Sequence, residues 1–296
     1  MLRYAYYPGC VAQGACRELY ISTAAVTQKL GIELVELKKA SCCGSGTYKE
    51  DSQILEDTVN ARNIGLAEEL SLPLLTHCST CQGVLGHVDE RLKEAKQNNI
   101  AYLEKVNGLL EKEHCSPYQG NSRVIHLLWA LIVDYGVIKL NQQVVKSLTN
   151  FKCAAFYGCY LLRAQKSIPD DPLNPQSLEQ IFTNLGAQSI EYVGRTQCCG
   201  WPISSYAPKE SFMLAGRHLL EAKKAGANCI VTPCPLCHLN LESRQPEIEK
   251  VIGEKISLPV LHLPQLIGLA LGIAPKDLGL DRHVVSTAPL LRLLDL

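Results

Sequence analysis

Cys42-Cys43-Gly44 decides how this chain is read, because it returns 156 residues later as Cys198-Cys199-Gly200. In both places 33 residues follow before a C-x-x-C pair. The first pair is Cys78 and Cys81, in Thr76-His77-Cys78-Ser79-Thr80-Cys81. The second is Cys234 and Cys237, in Thr232-Pro233-Cys234-Pro235-Leu236-Cys237. A lone cysteine after an aromatic residue and a glycine precedes each copy, as Tyr7-Pro8-Gly9-Cys10 and as Tyr157-Gly158-Cys159. It lies 31 residues before the first doublet and 38 before the second. Two sets of five cysteines at nearly one spacing mark an internal duplication built around metal-binding thiols.

The bulk of the chain agrees with a folded protein that works by such a site. Its 296 residues allow two domains of ordinary size, and 47 % are apolar against 20 % charged, so a sizeable core forms. Lysine plus arginine balances aspartate plus glutamate at 29 each, so no basic excess points to nucleic acid or to an anionic lipid surface. The first ten residues lack the apolar segment of a signal peptide, and no stretch is apolar enough for a membrane helix. The expected location is cytoplasmic, with at most peripheral membrane contact through a complex. In that compartment fourteen cysteines favour metal ligation over disulfides. Cys16, Cys115, Cys153 and Cys229 fall outside the repeat and read as small buried thiols of unassigned role.

Along the chain, strands alternate with helices. Strands are expected over 3–7, 32–37, 74–76 and 123–126, with helices over about 16–30, 51–70 and 81–113, and an apolar helix after Leu127. Residues 137–152 read as a linker. The order then repeats, with strands at 153–157, 190–193 and 229–232, a helix opening at Pro175, and another over 208–225. Val124-Ile125-His126-Leu127 is echoed by Val260-Leu261-His262-Leu263. The pattern predicts two tandem, pseudo-symmetric α/β half-domains, 1–138 and 151–273, each a small, mainly parallel sheet with helices. Residues 274–296 form a tail whose Leu290 to Leu296 segment is a candidate docking element.

Every repeat cysteine then follows a predicted strand. The carboxyl ends of strands in open parallel sheets are where ligands bind. A C-x-x-C pair at a helix start gains from the positive end of the helix, which favours thiolates. Gly44, in the loop running on to Gly46, and Gly200 let the backbone close around bulky atoms. Five thiolates exceed the four taken by tetrahedral zinc or a cubane cluster, and this favours an iron–sulfur cluster of unusual shape. Structural zinc in one half is the alternative.

The doubled spacing, the Tyr7-Pro8-Gly9-Cys10 opening and the segment from His262 to Gly272 resemble the B-type subunit of heterodisulfide reductase, a family with two cysteine-rich CCG domains. The resemblance runs from about Arg3 to Ile273. It implies two noncubane 4Fe-4S clusters, one held by Cys10, Cys42, Cys43, Cys78 and Cys81, the other by Cys159, Cys198, Cys199, Cys234 and Cys237. It implies disulfide cleavage by one-electron steps, of the coenzyme B–coenzyme M type. The chain carries neither a flavin fingerprint nor a ferredoxin C-x2-C-x2-C-x3-C run. The expected partners are therefore a C-type iron–sulfur subunit as electron donor and a flavoprotein subunit. A second role, also implied by the resemblance, is that of an anchor-like subunit that delivers electrons to quinone in a succinate dehydrogenase complex. His77 and His238 beside the C-x-x-C pairs are candidate hydrogen-bond or proton donors, with a plain loop role as the simpler reading. His126 and His262 line the site or simply pack, and Trp201 with Pro202 shapes a crevice or packs under the loop.

Overall fold

In the computed structural model, which describes residues 1–45, 47–163 and 168–296, the duplication is complete at the level of strands. Gly46 of the first doublet loop lies outside the described residues. The first half holds β1 (Arg3–Tyr7), β2 (Glu33–Glu36), β3 (Leu74–Thr76) and β4 (Val124–His126). The second holds β5 (Lys152–Ala155), β6 (Gln188–Ile190), β7 (Cys229–Thr232) and β8 (Val260–His262). Both sheets are four-stranded, ordered β2-β1-β3-β4 and β6-β5-β7-β8. All six pairings are parallel, with Ala5 opposite Leu74 and Cys153 opposite Cys229. The two halves are thus α/β units of one topology. In each, the strand order reverses beside the first strand, which opens a crevice at the carboxyl edge.

The central strands are buried, while the edge strands β2 and β6 are partly exposed. Alternate residues of β1 divide between two buried apolar clusters: Tyr4 and Tyr6 enter one, Ala5 and Tyr7 the other. In β5, Cys153 and Ala155 join the first cluster and Ala154 the second. Each cluster therefore draws on both halves, and the two sheets share their cores.

The helices follow their sequence signals with local exceptions. Helix Arg17–Lys29 ends before Gly31, whose φ of 68° turns the chain into β2. The long charged stretch forms two helices, Ser79–Asn98 and Ile100–Lys112, because Asn99 leaves helical geometry at φ −152° and ψ 63°. In the second half, β6 lies over Gln188–Ile190, earlier than the 190–193 run. Val193–Thr196 instead makes a tight 3₁₀ turn that carries the chain to the second doublet. The linker forms the helix Val137–Gln142 and buries Leu140, Leu148 and Phe151. The tail is also packed on its own chain: Leu278, Leu280 and Leu290 are buried in the first apolar cluster. Apolar burial against the parent body accounts for both segments. No helix among the described residues is long and apolar enough to cross a membrane.

Candidate metal-cluster site

All ten repeat cysteines lie past the carboxyl ends of strands, and each set of five gathers into one nest. In the first, the Cys10 and Cys42 sulfurs are 3.5 Å apart and the Cys43 and Cys81 sulfurs 3.6 Å apart. The backbone N–H of Cys81 points at Cys78 Sγ (3.5 Å) and that of Gly44 at Cys42 Sγ (3.4 Å). The second nest repeats the pattern, with Gly200 N–H 3.4 Å from Cys198 Sγ, and with Cys159 paired to Cys198 and Cys199 to Cys237. None of the fourteen cysteines forms a disulfide.

The backbone around the nests explains why these residue types stand there. Cys78 and Cys234 occupy the N-caps of helices Ser79–Asn98 and Pro235–His238, so each C-x-x-C lies at the positive end of a helix. Gly200 adopts φ 90°, and a Cβ there would lie 2.8 Å from the carbonyl oxygen of Ser211. Gly9 and Gly158 each leave room for a sulfur: a Cβ would sit 3.0 Å from Cys81 Sγ or 2.9 Å from Cys237 Sγ. The doublets are held by amides, Asn60 Nδ2 donating to the Cys43 carbonyl (3.1 Å) and Asn240 Nδ2 to that of Cys199 (2.7 Å). Tyr7 donates to the carbonyl of Ser41 at 2.6 Å, which fixes the approach to the first doublet. Spacing could not reveal these amides, because Asn60 and Asn240 come from unrelated places in the two repeats.

Crowding the thiols divides their acidities. Hydrogen bonds from Cys10, Cys43 and the Gly44 N–H pull Cys42 down to about 2, while Cys42 pushes Cys43 up to about 12. Cys198 falls likewise to about 2, chiefly through Cys159, and Cys199 rises because of Cys198. In each nest the first cysteine of the doublet is favoured as thiolate and its doublet partner as thiol, and in the second nest hydrogen bonds also pull Cys234 down. Ionising all five requires several positive charges among them. A donor set of five sulfurs beside glycine cradles fits a multi-iron sulfide group better than one tetrahedral ion.

The nests meet at the seam. Cys78 and Cys234 perturb each other's ionisation by hydrogen bonding, and the Thr80 hydroxyl lies 3.6 Å from Cys234 Sγ. Ser79 Oγ donates to the Pro233 carbonyl at 3.1 Å, as His126 Nε2 does at 3.1 Å. His126 also accepts the Leu128 N–H at 3.0 Å, so its role is to brace the seam. His77 is buried, bonded to Thr23 (2.8 Å) and to the Pro8 carbonyl (2.9 Å), where it secures the Cys10 loop. His238 is likewise buried.

The surroundings of the two nests differ in room. All five cysteines of the first line a cavity of about 20 Å³. Cys159, Cys199, Cys234 and Cys237 of the second border one of about 600 Å³, which also meets Ser79 and Thr80 of the first half. Trp201, Pro202 and Tyr206 wall that larger cavity, and Glu50 is the only carboxylate on its lining among the described residues.

The CCG cysteine-rich domain family matches residues 4–86 and again 153–242. The chain is 39 % identical to the 8-methylmenaquinol:fumarate reductase membrane anchor subunit of Wolinella succinogenes, over 97 % of this chain and 98 % of that one. It is 31 % identical to the B-type subunit of the ferredoxin:CoB-CoM heterodisulfide reductase of Methanosarcina mazei, over 97 % and 95 % of the two chains. A protein of Archaeoglobus profundus that is itself similar to this B-type subunit is also 31 % identical, over 94 % of each. The fold recurs in the crystal structure of a hypothetical protein from Helicobacter pylori, at a TM-score of 0.77 and 18 % identity. That match covers 96 % of this chain, which spans about half (52 %) of the solved one. With both CCG domains present and near full-length relatives at this identity, the chain belongs to the family of the heterodisulfide reductase B-type subunit, built of two cysteine-rich CCG domains.

Proposed function

We propose that this chain is the iron–sulfur electron-transfer subunit of a quinone-linked fumarate or succinate oxidoreductase. The observation that carries the reading is the 39 % identity to the Wolinella anchor subunit across 98 % of its length. Cys10, Cys42, Cys43, Cys78 and Cys81 hold one noncubane 4Fe-4S cluster, and Cys159, Cys198, Cys199, Cys234 and Cys237 hold the other. Five sulfurs per nest and the glycine cradles support that assignment. Once bound, such groups supply one-electron redox steps at potentials set by burial and hydrogen bonds.

The chain's own residues then do the binding. Trp201, Pro202 and Tyr206 present apolar walls suited to a planar ring, and Thr47, Ser204 and Ser205 add hydroxyls for its oxygens. Glu50 adds a carboxylate to the same lining. Electrons pass between the quinone and a flavoprotein partner with its iron–sulfur subunit, from quinol to flavoprotein when fumarate is reduced and the other way when succinate is oxidised, and association with the membrane is peripheral.

A second reading, reduction of a disulfide, is favoured by the relatives from heterodisulfide reductases and by the contact of the nests at Cys78 and Cys234. Anaerobic purification of the native complex separates the two. Co-purification of a fumarate reductase-type flavoprotein, with menaquinol-dependent fumarate turnover, supports the first. Viologen-driven cleavage of a mixed disulfide without quinone turnover overturns it in favour of the second.

A further inference from the structure

Behind the second C-x-x-C, away from the thiol nest, the chain buries a set of groups the proposed reaction does not use. Cys16 and Glu18 come from the start of helix Arg17–Lys29, His238 follows Cys237, and His262 ends β8. One ligand atom from each of these four lies within 4.8 Å of every other, and all four residues are buried. Glu18 Oε1 is 3.3 Å from His262 Nε2 and 4.0 Å from His238 Nδ1. The His238 and His262 rings stack with centroids 3.8 Å apart.

This packing is hard to explain as core. Both ring nitrogens of His238 are buried without a hydrogen-bond partner. Each orphaned polar atom destabilises the fold unless something outside the chain satisfies it. The two imidazole rings stack closely, so both present their edges to the same buried region. Glu18 remains, as does Glu242, whose carboxylate is 3.6 Å from His283 Nδ1 in a group that shares His238. Arg282 reaches Glu18 at 3.5 Å, but on Oε2, which leaves Oε1 facing the imidazoles. Two imidazole nitrogens, a carboxylate oxygen and a thiol, all within 4.8 Å of one another, form a zinc-type donor set.

We infer that Cys16, Glu18, His238 and His262 form a closed, four-coordinate site for Zn²⁺, separate from both cysteine nests. Its ligands come from the first half (Cys16, Glu18) and the second (His238, His262), so the ion staples the two. His283, 5.1 Å from His238 in an edge-on ring contact and bonded through Nε2 to Gln265 (3.1 Å), steadies the outer side of the site. Binding displaces the Cys16 thiol proton to solvent, with no change of oxidation state.

The test is metal analysis of the anaerobically purified full chain after exposure to a chelator that strips loosely held ions. About one zinc per chain is expected alongside the iron. The double variant Glu18→Gln/His262→Gln should lose the zinc and keep the iron. X-ray absorption at the zinc edge of the unaltered protein should show mainly nitrogen and oxygen neighbours near about 2.0–2.1 Å and one sulfur near about 2.3 Å. Absence of stoichiometric zinc, retention of zinc in the double variant, or a four-sulfur shell would each overturn the inference. The absorption spectrum needs no variant, so a misfolded mutant does not protect the claim.

Discussion

The two halves carry the same five cysteines on the same four-stranded sheet, yet they treat the space beside them differently. In the first half the C-x-x-C opens a 20-residue helix, Ser79–Asn98, and the nest lines a cavity of about 20 Å³. In the second, the helix after Cys234 lasts four residues, Pro235–His238, before loosening into a wider π-type turn over Leu239–Ser243. There the doublet runs straight into Trp201 and Pro202, and the nest borders a cavity of about 600 Å³. One ligand pattern has been kept twice while the flanking sequence has been spent on different tasks. Under the proposed function, this difference in room assigns relay of electrons to the first nest and contact with a substrate to the second.

The hardest way to break that contrast is to remove one thiolate from each nest. Cys43→Ser and Cys199→Ser should each halve the iron content, from about eight to about four per chain, and reduce quinone-linked turnover to background. Equal iron loss from both nests in either variant would show that the shared core, not the nest, governs loading. Iron analysis with turnover assays reads both outcomes.

Trp201→Ala sharpens the contrast without touching a ligand. It should lower kcat/KM for a quinone about tenfold, or ~1.4 kcal/mol, with iron unchanged. A change in iron with no change in KM would return Trp201 to a packing role.

The seam between the halves has its own pH signature. Burial lowers the His126 pKa to about 4, below its ordinary value near 6.5. The unfolded chain therefore binds the extra proton first, and stability falls as pH drops from about 6.5 toward about 4. The full effect is on the order of 3 kcal/mol, and His126→Gln should flatten the acid limb of a denaturation-against-pH curve.

The smallest expected effects come from the amides under the doublets. Asn60→Ala and Asn240→Ala each remove a donor from a buried carbonyl, at a cost of about 1–3 kcal/mol and a fall of a few degrees in Tm. The second nest has the shorter bond, 2.7 Å against 3.1 Å, so Asn240→Ala should cost more.

The sheets and the gathering of each cysteine set were legible in the sequence because both rest on local signals: β-prone runs, strand-end glycines and a spacing that repeats. The Val260-Leu261-His262-Leu263 echo correctly marked a fourth strand and an apolar helix in the second half. What stayed hidden depends on contacts distant in the chain. Cys16 read as a plain buried thiol because Glu18, His238 and His262 join it only through tertiary packing. The tail read as a candidate for docking on a partner, because its short apolar run does not show that Leu290 and Leu294 join the apolar cluster of their own chain. The register of β6 slipped because Tyr192 and Val193 are as β-prone as Ser189 and Ile190, and the tight turn into Cys198 decided between them.

The central claim is that a quinone meets the second nest and not the first. It is tested most directly by electron paramagnetic resonance of the anaerobic complex, reduced and titrated with a water-soluble menaquinone analogue, in Cys43→Ser and Cys199→Ser side by side. The account predicts that the signal surviving in Cys43→Ser shifts as the analogue binds, while the signal surviving in Cys199→Ser does not. A shift confined to Cys199→Ser would contradict it.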